Sequence, residues 1–356
     1  MSAVFSAIID EASPQFQTRK RQELIKRIQQ VTGRKLAVYT ASMSHPISGI
    51  MHLDAPLFED CMRVCEGSKG DLMINSPGGD ANVAEKILRM CRFRFNEEFN
   101  VIIPNYAKSA ATMIALGADK ILMGYLSEIG PADPQITNVL PNGQTQLIPA
   151  RAYIQGLEFI RERINKGESA IVYAPIIAQI RPEMIAYCQD AIDFSKDFLR
   201  RWLPQGVLKG SNINPEDVIK ELVVGETYKS HGQVIGYEDA KSLLGDRVEL
   251  IDPKGDLWNL VWELYLRSTH ALSMMPDAAK LFETEKSSTT MQIRVMAPAP
   301  TINLPIQPRP PPSQPQGQPF TPPSRPQGQP GVPPSQPPSQ PAPSPQPQSS
   351  QPAETS

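Results

Sequence analysis

Residues 71–135 read DLMINSPGGDANVAEKILRMCRFRFNEEFNVIIPNYAKSAATMIALGADKILMGYLSEIGPADPQ. An apolar run, 71–75, enters Ser76-Pro77-Gly78-Gly79-Asp80. A second, 101–104, leads to Lys108-Ser109-Ala110-Ala111 at the head of an alanine-rich helix. A third, 120–124, is followed by Gly130-Pro131-Ala132-Asp133-Pro134-Gln135. Between the first two, Val83, Ile87, Leu88 and Cys91 repeat at helical spacing, so a helix spans 81–94. Strands alternating with helices predict an α/β fold with a largely parallel sheet, and chemistry placed on the loops along one rim.

Outward from this stretch, Ser13-Pro14 opens a helix that Gly33 ends. Leu24, Ile25, Ile28 and Val31 form its apolar stripe. Arg19, Lys20, Arg21, Lys26 and Arg27 form a basic face that reads as solvated. A strand follows at 35–40, then a helix bearing Leu57, Phe58, Cys61, Met62 and Cys65. Beyond 135 we expect a loop or hairpin around Pro141-Asn142-Gly143, then helices near 150–165 and 180–203. The segment joining them holds Lys166-Gly167 and Pro175. A short helix at Asn214-Pro215, a turn at His231-Gly232, a strand at 248–251 and an amphipathic helix through Leu257, Trp258, Val261 and Trp262 come next. A terminal helix is expected at 276–285.

The last 60 residues hold 22 of the 37 prolines with repeated Gln and Ser. Such composition buries too little apolar surface to offset the entropy of ordering. The expected organisation is an amphipathic helix at 1–34, one catalytic domain at 35–285 and a disordered tail at 286–356. The tail reads first as a spacer; its polyproline runs also suit a partner that binds Pro-rich motifs. With 35 Lys and Arg against 37 Asp and Glu, no nucleic-acid footprint is expected. The four cysteines lack paired zinc spacing and read as reduced core thiols. Neither a signal peptide nor an 18-residue apolar run is visible, so the expected location is cytoplasmic and membrane association is not indicated.

Ser109 sits where a strand turns into a helix, and the free N–H groups there favour an alkoxide and the oxyanion that follows. An ordinary N-cap serine has the same local pattern. Gly78 and Gly79 permit a turn whose N–H groups point outward, so one of them, with the Ala110 N–H, is a candidate oxyanion hole. A histidine base must come from His45, His52, His231 or His270. For a lysine base the candidates are Lys108, Lys166, Lys196 and Lys209. No phosphate-binding G-x-x-x-x-G-K-[ST] run occurs, so ATP-driven unfolding would need a partner.

SPGGD, KSAAT and GPADPQ together resemble the ClpP/crotonase-like serine peptidases, closest to the signal peptide peptidase A class and the serine dehydrogenase proteinase family. The resemblance covers about residues 35–265. It implies a spiral of β-β-α units, a homo-oligomer, a protein or peptide substrate and no cofactor. Position by position, it implies Ser109 as nucleophile and Gly78 or Gly79 with Ala110 as oxyanion donors. The base it implies is Lys196, on a later helix and followed by Gly225-Glu226-Thr227-Tyr228, with Ser127 as the candidate that orients the lysine. The reaction implied is ATP-independent peptide hydrolysis through a Ser-Lys dyad and an acyl-enzyme. A non-catalytic scaffold on the same fold and a crotonase-type acyl-CoA enzyme are the rivals.

Overall fold

Apolar runs bounded by glycine, proline or charge become strands where both faces of a sheet are covered. The computed structural model describes residues 14–139, 143–225, 227–228 and 230–293. It opens with α1 (Pro14–Thr32), β1 (Lys35–Ala41), α2 (Asp54–Arg63), β2 (Lys69–Asn75), α3 (Ala81–Arg94) and β3 (Glu98–Ile103). Then come β4 (Tyr106–Ala107), α4 (Ala110–Leu116), β5 (Lys120–Met123) and β6 (Glu128–Ile129). The hairpin β7 (Gln135–Val139) and β8 (Thr145–Pro149) leads to α5 (Ala150–Asn165), α6 (Ala170–Ile177), α7 (Pro182–Trp202) and α8 (Pro215–Ile219). The last elements are α9 (Tyr237–Leu244), β9 (Val248–Leu250), α10 (Asp256–Ser273), β10 (Ala278–Glu283) and β11 (Ser288–Gln292).

Seven strands form the main sheet in the order β11-β10-β1-β2-β3-β5-β9. From β1 to β9 every pairing is parallel, while β10 joins β1 antiparallel. Alternation along the strands sorts side chains between two cores. Leu36, Val38, Met73 and Ile102 face α1 and α10, meeting Ile25, Trp258 and Val261. Ala37, Tyr39, Ile74, Val101 and Ile103 face α2, α3 and α4. After β2, β3 and β5 the chain steps into a second layer. There β4 pairs with β6, Ser76 bridges Ala107, and Ile129 bridges Ile235. This is a mixed α/β arrangement in which β2, β3 and β5 each run on into a short strand or bridge of the second layer.

Several local expectations need correction. Residues 276–285 were expected to be helical; 278–283 instead form β10, and β11 lies inside the stretch expected as tail. The connection holding Pro175 contains α6. Arg21 is not solvated: its Nε and Nη2 donate to Glu283 at 2.7 and 2.9 Å, both side chains being buried. Ser13, the Pro141-Asn142 tip and residues 294–356 of the tail lie outside the described residues. The four cysteines are free and buried, and burial pushes the Cys65 and Cys61 thiols up to about 11 and about 12.

Asp71, buried in β2, accepts from Arg34 Nε at 2.7 Å and Asn100 Nδ2 at 3.2 Å. Burial outweighs those bonds and raises its carboxyl above the ordinary range. The folded chain thus holds this proton more tightly than the unfolded chain. Its contribution to stability is complete below the unfolded value of ~3.9 and is lost as pH rises through the folded one. Asp71→Asn should flatten that slope in urea denaturation run from about pH 4 upward.

Candidate active site

Beyond β4 the chain reverses into α4 through Ser109, at φ 51° and ψ −119°. It is the one non-glycine residue at positive φ among the described residues. Such a conformation costs about 1–3 kcal/mol and persists only where its surroundings enforce it. Here the enforcement is visible on three sides. Lys108 N donates to Ser76 O at 3.0 Å, and Thr112 Oγ1 donates back to Ala107 O at 2.7 Å. Gly78, at φ 93°, packs against the turn so closely that a Cβ there would lie 2.5 Å from Lys108 O and 2.7 Å from Ser109 Cβ. Gly78→Ala should therefore displace the serine turn. We expect kcat to fall by ~10²–10³, the loss typical of one missing oxyanion donor, with a lower melting temperature in the same preparation.

The glycine turn is held from its other side. Ile50 N donates to Gly78 O at 2.6 Å and Asp80 N to Ile50 O at 2.9 Å. Successive peptide groups of an extended segment point to opposite sides, so the Gly79 N–H faces away from Ile50. Gly78 N–H is engaged by Ser76 Oγ at 3.2 Å. Among the described residues neither the Gly79 N–H nor the Ala110 N–H has an acceptor. Asp80 then caps α3 through Asn82 N and Val83 N. Behind Ile50, Lys280 Nζ donates to Gly49 O at 2.5 Å and to Asp54 Oδ1 at 2.7 Å. Asp54 also takes Tyr39 Oη–H at 2.7 Å and Met51 N at 2.9 Å. The Lys280 and Asp54 side chains are fully buried, and burial lowers the lysine below its ordinary range despite the carboxylate.

Ser109, Ala110, Gly78 and Gly79 line one open cavity with Ala132 and His231. Its far wall is the α7 face carrying Tyr187, Ala191, Phe194 and Ser195. The expected nucleophile and all three expected oxyanion residues are thus brought together. Lys196 is not brought to them. One residue past Ser195, it is turned about 100° from the cavity face. Its Nζ lies 3.6 Å from Asp193 Oδ1. Its charge also reaches Glu216 of α8, whose carboxyl is held low chiefly by the Arg200 hydrogen bond. Ser127 is buried and remote in role: its Oγ donates to Ile103 O at 2.5 Å and accepts from Gly124 N at 2.8 Å. Lys166 sits on the surface 3.8 Å from Glu162. Lys108 Nζ points away from the serine, to Glu128 at 2.9 Å and to the carbonyls of Ile129 and Gln233.

One pair escaped the reading of the sequence. His231 Nδ1 lies 2.7 Å from Asp133 Oδ1. Asp133, the acid of GPADPQ, is buried, and Arg151 Nε reaches its other oxygen at 3.3 Å. Both residues stood in noted motifs, but they are 98 positions apart, and nothing local marks them as partners.

Residues 8–148 match the family model described as ClpP-like SDH-type serine proteinase. The resemblance carried by SPGGD, KSAAT and GPADPQ is borne out by that match, which stops short of both Lys196 and His231. MJ1495, an uncharacterized protein of Methanocaldococcus jannaschii, is 30% identical over 141 residues, 36% of this chain and 47% of that one. MJ0137 of the same organism, also uncharacterized, is 44% identical over 66 residues, 18% and 23% of the respective chains. The chain thus covers less than half the length of these relatives. Two solved structures of the 1510-N membrane-bound stomatin-specific protease also overlay. A serine-to-alanine mutant gives TM-score 0.36 at 17% identity over 60% of this chain and 79% of that one. A lysine-to-alanine mutant in complex with a substrate peptide gives 0.34 at 17% over 70% and 89%. No helix among the described residues is long and apolar enough to cross a membrane.

Proposed function

We propose that this chain, whose residues 8–148 match the ClpP-like SDH-type serine proteinases, is an ATP-independent serine endopeptidase in which Ser109 attacks the scissile carbonyl. The observation that carries this reading is the strained serine at the strand–helix turn, pressed against Gly78 and opening into a cavity. Strain kept at one half-buried serine that lines a cavity is the mark of a nucleophile held on a sharp turn. Gly79 N–H and Ala110 N–H are the oxyanion donors in this scheme, and Gly78 shapes the turn between them. Attack yields an acyl-enzyme, which water then hydrolyses.

The resemblance supplies Lys196 as base. That dyad needs α7 to rotate about its axis, because the amine lies beside Asp193. The substrate is a protein or peptide, and the scheme carries over the expected homo-oligomer and cytoplasmic setting. The scaffold reading is separated by a fluorophosphonate probe: a peptidase gives a Ser109 adduct found by mass spectrometry of the labelled peptide, and a scaffold gives none. A crotonase-type enzyme would instead bind CoA thioesters and hydrolyse no peptide.

A further inference from the structure

Ser109 needs a base, and the cavity wall holds a histidine already paired with an acid. His231 lines the same cavity as Ser109. Its side chain is 19% exposed and that of Asp133 1%. A carboxylate at Nδ1 keeps the proton on that nitrogen and leaves the Nε2 lone pair able to take a hydroxyl proton. Both segments are fastened to the serine turn by its immediate neighbours. Lys108 Nζ donates to Ile129 O and Gln233 O, each at 3.2 Å. Thr112 Oγ1 donates to Gly130 O at 3.0 Å. Ile129 and Ile235 exchange N–H···O bonds of 3.0 and 3.2 Å. Asp133 therefore lies three residues past one anchor of the turn, and His231 two residues before another. Among the described residues Lys196 makes no such hydrogen bond to the turn; its Nζ lies beside Asp193.

We propose that His231, oriented by Asp133, is the general base for Ser109, giving a Ser109–His231–Asp133 triad rather than a serine–lysine dyad. This rests on the peptidase reading above. As the Ser109 Oγ–carbon bond forms, the hydroxyl proton passes to His231 Nε2 and the carbonyl electron pair moves onto oxygen, between Gly79 N–H and Ala110 N–H. Protonated His231 then gives that proton to the departing amine as the C–N bond breaks. In the second half a water oxygen bonds to the acyl carbon and its proton goes to Nε2. The ester C–O bond breaks, and Ser109 Oγ recovers the proton. Arg151 does not touch the imidazole in this scheme; it steadies the far oxygen of Asp133.

The experiment uses the full chain and a quenched unfolded-protein substrate, with Ser109→Ala, His231→Ala, His231→Asn and Lys196→Ala in parallel. His231→Asn retains a side-chain N–H for Asp133 but no base, so it guards against a loss caused by misfolding. The expected result is a fall in kcat of ~10³-fold or more in both His231 variants. Imidazole should restore activity to His231→Ala, which a purely structural role would not permit. Either His231 variant within tenfold of the parent, or a Lys196→Ala loss of a thousandfold, overturns the triad. An active Ser109→Ala enzyme would instead overturn the peptidase reading itself.

Discussion

Ser109→Ala is expected to lower hydrolysis of an unfolded protein by ~10³-fold or more, because covalent catalysis is lost while substrate binding and the oxyanion donors remain. KM should change little, and kcat should carry the effect. The same position gives a second reading of the turn. Ser109 sits at φ 51°, which a glycine adopts without steric cost. Ser109→Gly should therefore be equally inactive yet more stable than the parent, by about 1–2 kcal/mol out of the strain such residues carry. Equilibrium urea denaturation measures it. A glycine variant no more stable than the alanine variant would mean that the backbone at 109 stores no strain for the chemistry.

Lys280→Met is the second large effect, this time on stability. The ammonium is fully buried and bonded to Gly49 O and both oxygens of Asp54. Removing it strands a carboxylate in the core, and breaking such a pair costs about 3–5 kcal/mol. The double variant Lys280→Met, Asp54→Asn leaves no unpaired charge and should recover much of that loss. The coupling between the two positions is thus measured by a four-member cycle. Activity should fall further than stability alone explains, since Gly49 and Ile50 hold the outer side of the Gly78–Gly79 turn.

The parallel half of the fold is plain from sequence because there local and long-range preferences agree. Strands such as 71–75 and 101–103 are apolar runs that end at turn residues, and the helix after Asp80 has both its cap and its stripe. Agreement fails at β10. Ala278, Ala279, Lys280, Leu281, Phe282 and Glu283 include good helix formers, and a lysine and a glutamate there suggest a solvated face. Pairing with β1 and the burial of both charges against Asp54 and Arg21 override that preference. No local signal announces partners more than two hundred residues away.

The candidate site divides in the same way. Ser109, Gly78, Gly79 and Ala110 are legible because two strand–helix turns on one rim must lie side by side. The base is not legible, since it depends on helix phase and on loop closure. On α7, Tyr187, Ala191, Phe194 and Ser195 take the cavity face, and a rotation of one residue sends Lys196 to Asp193. His231 reads as an oddity in a turn until Ile129 and Ile235 pair and bring it beside Asp133.

The clamp formed by Lys280 also sets an order of events during synthesis. Asp54 leaves the ribosome 226 residues before its partner at 280, a gap of about 11–45 s at 5–20 residues per second. Throughout that interval the glycine turn and the serine can already be folded, but the strand that braces them from behind has not been made. A nascent chain of this protein should thus gain its full hydrolytic competence only as its last sheet strands emerge. Under the proposed scheme it would until then hold the serine turn without a firmly braced glycine turn beside it.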